Sequence, residues 1–175
     1  MPVNYPKIIF AVLLSIYFLW IAYDPMQGSF LDLVDLPIHE TGHLLFRPFG
    51  EFMSIAGGSL FQIIVPAVFV GYFVWNEKHY SAAIVTFWLG QSLLNVFVYA
   101  NDAVVMQFVL TGGLTGGEGG FHDWNYLLTE TNLLDKTSSV AKLIRFSGAV
   151  ITVAAAIGSI FFANGKEKLI ADENL

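Results

Sequence analysis

The stretch Leu36–Phe46, LPIHETGHLLF, sets two histidines and a glutamate in a run that is otherwise almost as apolar as lipid. Each ionisable side chain raises the free energy of such a segment unless something pairs with it. His39 and His43 stand four residues apart, so on a helix they share one face, a turn apart, and both imidazoles reach one divalent ion. Glu40 points slightly aside, where it can hold an attacking water and move its proton. The spacing predicts a metal site with His39 and His43 as ligands and Glu40 as the catalytic carboxylate. Gly42 beside the second histidine leaves room for a close backbone or substrate. The competing reading is a structural cluster in which the three side chains satisfy one another and nearby carbonyls. A di-iron carboxylate bundle would need a second Glu-x-x-His copy, and the sequence has none.

Working outward, the 175 residues are 55% apolar, 15% aromatic and only 13% charged, against about 25% charged in an ordinary soluble domain. The composition is that of an integral, multi-pass membrane protein whose first partner is the lipid bilayer. The length suits one membrane domain, since each crossing takes about 20 residues plus a connection. The net charge of −6 is spread over short connections and the tail, so it offers none of the clustered Lys and Arg that a nucleic-acid partner requires. The chain has no cysteine, which excludes disulfides, thiolate nucleophiles and zinc–thiolate or iron–sulfur centres. Any metal must be held by His, Asp or Glu, and the donor set favours zinc.

The pattern predicts an all-α bundle of about four spans, near 6–23, 52–75, 81–110 and 145–163, plus a short histidine-bearing helix near 36–47. The first span is expected to be retained, because it is long and lacks a small-x-small cleavage site before Asp24. Tyr17, Trp20 and Tyr23 near its end suit a membrane interface. Asp35 is the expected N-cap of the histidine helix, with Pro37 in its first turn and Pro48 and Gly50 ending it. Such a helix is too short to cross about 30 Å of hydrocarbon, so it is expected to be re-entrant, held in one leaflet, or shielded by neighbours. Gly57-Gly58-Ser59 would let another helix approach closely. The glycine pairs of 111–121 predict an irregular loop. WNYLLTETNLLDK reads as a short surface helix, and a polar tail starts at Asn164. Arg47, Lys136, Lys142 and Arg145 balance Lys7, Lys78, Lys166 and Lys168, so the distribution of positive charge fixes no orientation.

Two histidines need a third ligand. His122, just after the glycine pairs, is the favoured candidate, with Asp102 or Asp123 as alternative ligand or as the group that orients an imidazole. A surface role for His122 and a helix-end role for Asp102 are the bland alternatives, and His79 in its polar turn is set aside. Ser59, Gln62 and the stripe Gln91, Asn95, Tyr99, Asp102 are expected to face inward, lining a cavity or simply tying helices together.

On HETGH at 39–43, the glycine-containing span after it, and Asn95 followed by Asn101-Asp102-Ala103, the chain resembles the site-2-protease-like zinc metallopeptidases. Their second element is Asn-x-x-Pro…Asp-Gly; here its proline is missing and Ala103 stands at its glycine. The resemblance implies cleavage of a membrane-associated peptide or protein, with His39 and His43 on zinc and Glu40 as general base. A lipid amide or ester hydrolase on the same metal, and a non-catalytic scaffold, are the rival expectations.

Overall fold

The computed structural model describes residues 4–163, so Lys166, Lys168 and the polar tail from Asn164 lie outside the described residues. The described residues form six α-helices and no β-strand: α1 Tyr5–Tyr23, α2 Asp32–Phe46, α3 Glu51–Trp75, α4 His79–Asn101, α5 Asp123–Glu130 and α6 Thr137–Phe162. Four of them, α1, α3, α4 and α6, are long and apolar enough to cross a membrane.

Local chemistry sets several helix ends. Asn4 caps α1 by accepting from the Lys7 backbone N–H at 3.2 Å, and Pro6 sits in the first turn, where its missing N–H is harmless. Asp24-Pro25 closes α1, the Asp24 carboxylate accepting from the Met26 N–H at 3.2 Å. Gly50, at φ +98°, turns the chain between α2 and α3 in a conformation that other residues rarely adopt.

Three expected boundaries are corrected. The histidine helix starts at Asp32, so Pro37 lies inside it and Asp35 is no N-cap: its buried carboxylate accepts from Trp88 Nε1 at 2.8 Å and sits within 3.4 Å of the Ser92 hydroxyl. The third span ends at Asn101 and not at Leu110, because Asp102 folds back to accept from the Gln107 and Phe108 backbone N–H groups at 3.1 and 2.7 Å. The last long helix begins at Thr137, two turns before Arg145. Within the loop, Val109 and Thr115 form an antiparallel bridge, and Thr115 and Glu118 form a reciprocal cap on the turn Gly116–Glu118.

In the bundle, α4 lies between α3 and α6, α1 packs on α6 and more lightly on α4, and α2 leans on α3. Phe18 stacks on Phe87 at 5.1 Å beside Ala155 and Ala156, joining α1, α4 and α6. Two contacts fix which ends meet. Arg145 of α6 donates to the Tyr23 carbonyl at 2.9 Å, and the Tyr80 hydroxyl of α4 donates to the Lys7 carbonyl at 2.9 Å.

The placement of α2 follows from its partners. Asp32 and Asp35 at its start meet Trp88, Gln91, Ser92 and Asn95, which lie around the middle of α4. Its far end meets the start of α3, where Gly42 and Gly57 cross so closely that a Cβ on Gly57 would lie 2.7 Å from the Gly42 carbonyl oxygen. The helix therefore runs from mid-bundle to the end at which α1 finishes and α3 begins. This is a re-entrant path, and it carries the histidines inward of that end.

Candidate metal centre

His39 and His43 project from α2 toward α3 and α5, with their ring centroids 4.8 Å apart. Asp123, the first residue of α5, completes the group: its Oδ2 lies 3.0 Å from His39 Nε2 and 3.2 Å from His43 Nε2. One donor atom from each of the three residues falls within 4.8 Å of the others, a spacing compatible with a shared ion. The space exists because of Gly58, where a Cβ would lie 2.6 Å from His39 Nε2 and 2.8 Å from His43 Cε1.

The opposite edge of each ring decides what this cluster can hold. His43 Nδ1 lies 2.9 Å from the Ser54 carbonyl oxygen, an acceptor only, so the ring carries a proton there. His39 Nδ1 lies 3.2 Å from Gln62 Oε1. With both Nδ1 atoms donating, each neutral ring turns an Nε2 lone pair toward Asp123. Two lone pairs and a carboxylate oxygen then converge, and they repel one another unless a cation lies among them or the rings take up extra protons. Imidazoles whose remote N–H is held by a carbonyl are the pattern of oriented metal ligands. These residues fit a divalent ion bound by two nitrogens and one oxygen, as zinc accepts.

Asp123 is prepared for that role. Burial pushes its carboxyl up, but with protons on Nε2 the hydrogen bonds and positive charge of His39 and His43 together outweigh burial and hold it below the ordinary carboxylate range. Its place in the first turn of α5 adds the favourable end of the helix dipole. The element is pinned by Tyr99, whose hydroxyl accepts from the Asp123 N–H at 3.0 Å, by Ser59, which accepts from Trp124 Nε1 at 3.1 Å, and by Asn125 Nδ2 donating to the Ala103 carbonyl at 2.8 Å.

His122, the favoured third ligand from the sequence, is placed elsewhere. It is the N-cap of α5, its Nδ1 accepting from the Asn125 N–H at 3.2 Å, while Nε2 faces Asp102 Oδ2 at 3.4 Å, a loose contact and not a hydrogen bond. Burial pushes this imidazole down, against the pull of Asp102. Asp102 is likewise kept from the histidine pair by its bonds to the loop. The structure brings Asp123, the alternative, to His39 and His43.

Glu40 faces a cavity of about 470 Å³ beside the cluster, which His39, His43, Tyr99 and Asp123 also line. Its Oε1 accepts from the Thr111 hydroxyl at 2.6 Å, so the tip of the glycine loop rests on this carboxylate. Leu33, Leu36, Val96, Phe108 and Phe121 give the rest of the cavity an apolar wall. Of the inward-facing stripe on α4, Gln91 and Asn95 reach α2, Tyr99 holds α5, and Asp102 holds the loop. Neither family models, curated proteins nor solved structures give a match to this chain.

Proposed function

We propose that the chain is a membrane-embedded zinc metallopeptidase that hydrolyses a peptide bond in a membrane-associated substrate. The observation that carries this reading is the convergence of His39 Nε2, His43 Nε2 and Asp123 Oδ2 after both Nδ1 atoms have been committed to carbonyl acceptors. His39, His43 and Asp123 hold the ion, and a zinc bound there supplies Lewis acidity toward a carbonyl and toward water. Glu40 faces the same cavity, takes the proton of the attacking water and delivers it to the departing amine, so that the peptide C–N bond breaks as the C–O bond forms. Thr111 holds one oxygen of Glu40, so a loop that lifts away would free the whole carboxylate and act as a gate. The likeness of HETGH to the site-2-protease-like motif supports a peptide as substrate.

The apolar wall of the cavity favours a second substrate class, a lipid amide or ester whose acyl chain lies along Leu33, Leu36 and Phe121. Metal analysis of detergent-purified protein tests the shared premise. About one zinc per chain is expected in the wild type and in Glu40→Gln, with hydrolysis abolished in the latter. His39→Ala, His43→Ala and Asp123→Ala should each lose the ion. Parallel assays on a membrane-anchored peptide and on an N-acyl lipid separate the two substrates, and metal-free wild-type protein of unchanged stability leaves only a scaffold.

A further inference from the structure

The geometry points to Asp32, with Asp35 beside it, as a positioning residue that fixes which nitrogen of His39 carries the proton, acting through two amide side chains. The relay is continuous. Asn95 Nδ2 donates to Asp32 Oδ1 at 3.1 Å, Gln62 Nε2 donates to Asn95 Oδ1 at 2.8 Å, and His39 Nδ1 meets Gln62 Oε1 at 3.2 Å. It links α2 to α4, α4 to α3, and α3 back to α2, seven residues on from where it began.

The direction of such a chain is set at its ends. An amide can present either its oxygen or its nitrogen, so Asn95 and Gln62 alone would allow two opposite polarities. A carboxylate accepts and does not donate. Asp32 already takes the Ser29 backbone N–H at 2.8 Å on Oδ2 and Gln91 Nε2 at 2.6 Å on Oδ1. Asn95 must therefore offer it nitrogen, which turns the Asn95 oxygen to Gln62, the Gln62 oxygen to His39, and requires a proton on His39 Nδ1. The lone pair is then on Nε2, toward Asp123. Gln91 obeys the same constraint at visible expense: its Oε1 is buried without a hydrogen-bond partner, because its nitrogen is held by Asp32.

The Asp35 carboxylate also accepts from the Gln62 side chain and favours the same polarity, so the variants below are made in an Asp35→Asn background, where Asp32→Asn removes the constraint. The new amide nitrogen can donate to Asn95 and to the orphaned Gln91 oxygen, the relay can reverse, and Gln62 then donates to His39 Nδ1. His39 would carry its proton on Nε2, where a metal should bind. Exchanging the two residues, Asp32→Asn with Asn95→Asp, puts the carboxylate one step along the chain. A carboxylate at position 95 must accept from both the amide at position 32 and Gln62, so the original polarity at His39 returns. A role for Asp32 in folding alone predicts no such recovery.

Two readouts apply, and only the second rests on the zinc reading proposed above. The first is the ¹⁵N shift of His39 Nδ1, expected to be that of a protonated nitrogen in the wild type and in the exchanged pair, and of an unprotonated nitrogen in Asp32→Asn. The second is zinc affinity by chelator competition, expected to fall about 10–100-fold in Asp32→Asn and to recover in the exchanged pair. Ser92→Ala, which removes a polar neighbour of Asp35 outside the relay, should leave both unchanged. The proposal is overturned if Asp32→Asn keeps a protonated Nδ1, or if the folded exchanged pair does not regain it. Gln62→Met cuts the last link without touching Asp32; retention of wild-type zinc affinity there overturns the proposal even if the Asp32 variants do not fold. A protonated Nδ1 in protein that binds no zinc rejects the metal reading and leaves the relay standing.

Discussion

Gly58 bears most directly on the cluster, because it lies on α3 against both imidazoles. A Cβ there would fall 2.6 Å from His39 Nε2 and 2.8 Å from His43 Cε1, inside van der Waals contact, so one ring must swing away. Gly58→Ala is expected to leave helicity by circular dichroism unchanged, since alanine suits a helix better than glycine. Its zinc content should drop from about one per chain to a small fraction; full occupancy would mean that the rings do not share an ion. The His–Glu–His part of the site is legible because four-residue spacing on a helix is geometry that a sequence states outright. The third member is not. Side-chain chemistry favours His122 over Asp123, whereas the deciding variable is which way each faces at the start of α5. A residue just before a helix turns back onto that helix's free N–H groups, as His122 does toward Asn125, and leaves the next side chain to project outward. The amphipathic run WNYLL carries that signal.

Close contact between elements, more than apolar area, positions α2. It meets α3 backbone to backbone at Gly42 and Gly57, and a Cβ on Gly57 would lie 2.7 Å from the Gly42 oxygen and 2.6 Å from Phe46 Cβ. Gly57→Ala must spread the two helices and is expected to destabilise the protein by about 1–3 kcal/mol, as overpacking does elsewhere. Gly71→Ala on the same helix has open space around it and should be neutral or slightly stabilising. Thermal unfolding in detergent compares the two; equal effects would show that the crossing is not tight. The Gly-Gly-Ser patch announces this approach in the sequence, while the end of α4 is hidden. Val104, Val105 and Phe108 continue an apolar run without a proline or glycine to break it. They belong to the loop because Asp102 takes the N–H groups of residues 107 and 108, a tertiary choice that periodicity does not encode.

For the whole molecule, four helices able to cross and one that turns back imply a definite sidedness, because α2 begins at the middle of α4 and ends beside the start of α3. The Tyr23 end of α1, the Arg47 turn and the start of α6 then share one face, tied by Arg145 to the Tyr23 carbonyl. The Lys7 end of α1 shares the other face with the turn between α3 and α4, tied by Tyr80. If α2 spanned instead, Arg47 would emerge on the face opposite Tyr23. The native chain has no cysteine, so single cysteines report without background. Gln27→Cys and Arg47→Cys, exposed positions that flank α2, are expected to react with a membrane-impermeant maleimide from the same side of sealed vesicles, and exposed Glu77→Cys from the opposite side. Labelling of Gln27→Cys from the side opposite Arg47→Cys would refute the re-entrant path. It would also remove the reason for the two aspartates at the start of α2. Asp32 and Asp35 are tolerable at mid-bundle because Trp88, Gln91, Ser92 and Asn95 of α4 offer them hydrogen bonds that lipid cannot. The same burial that requires those partners places the histidines between the helices, inward of the end at which α1 finishes and α3 begins.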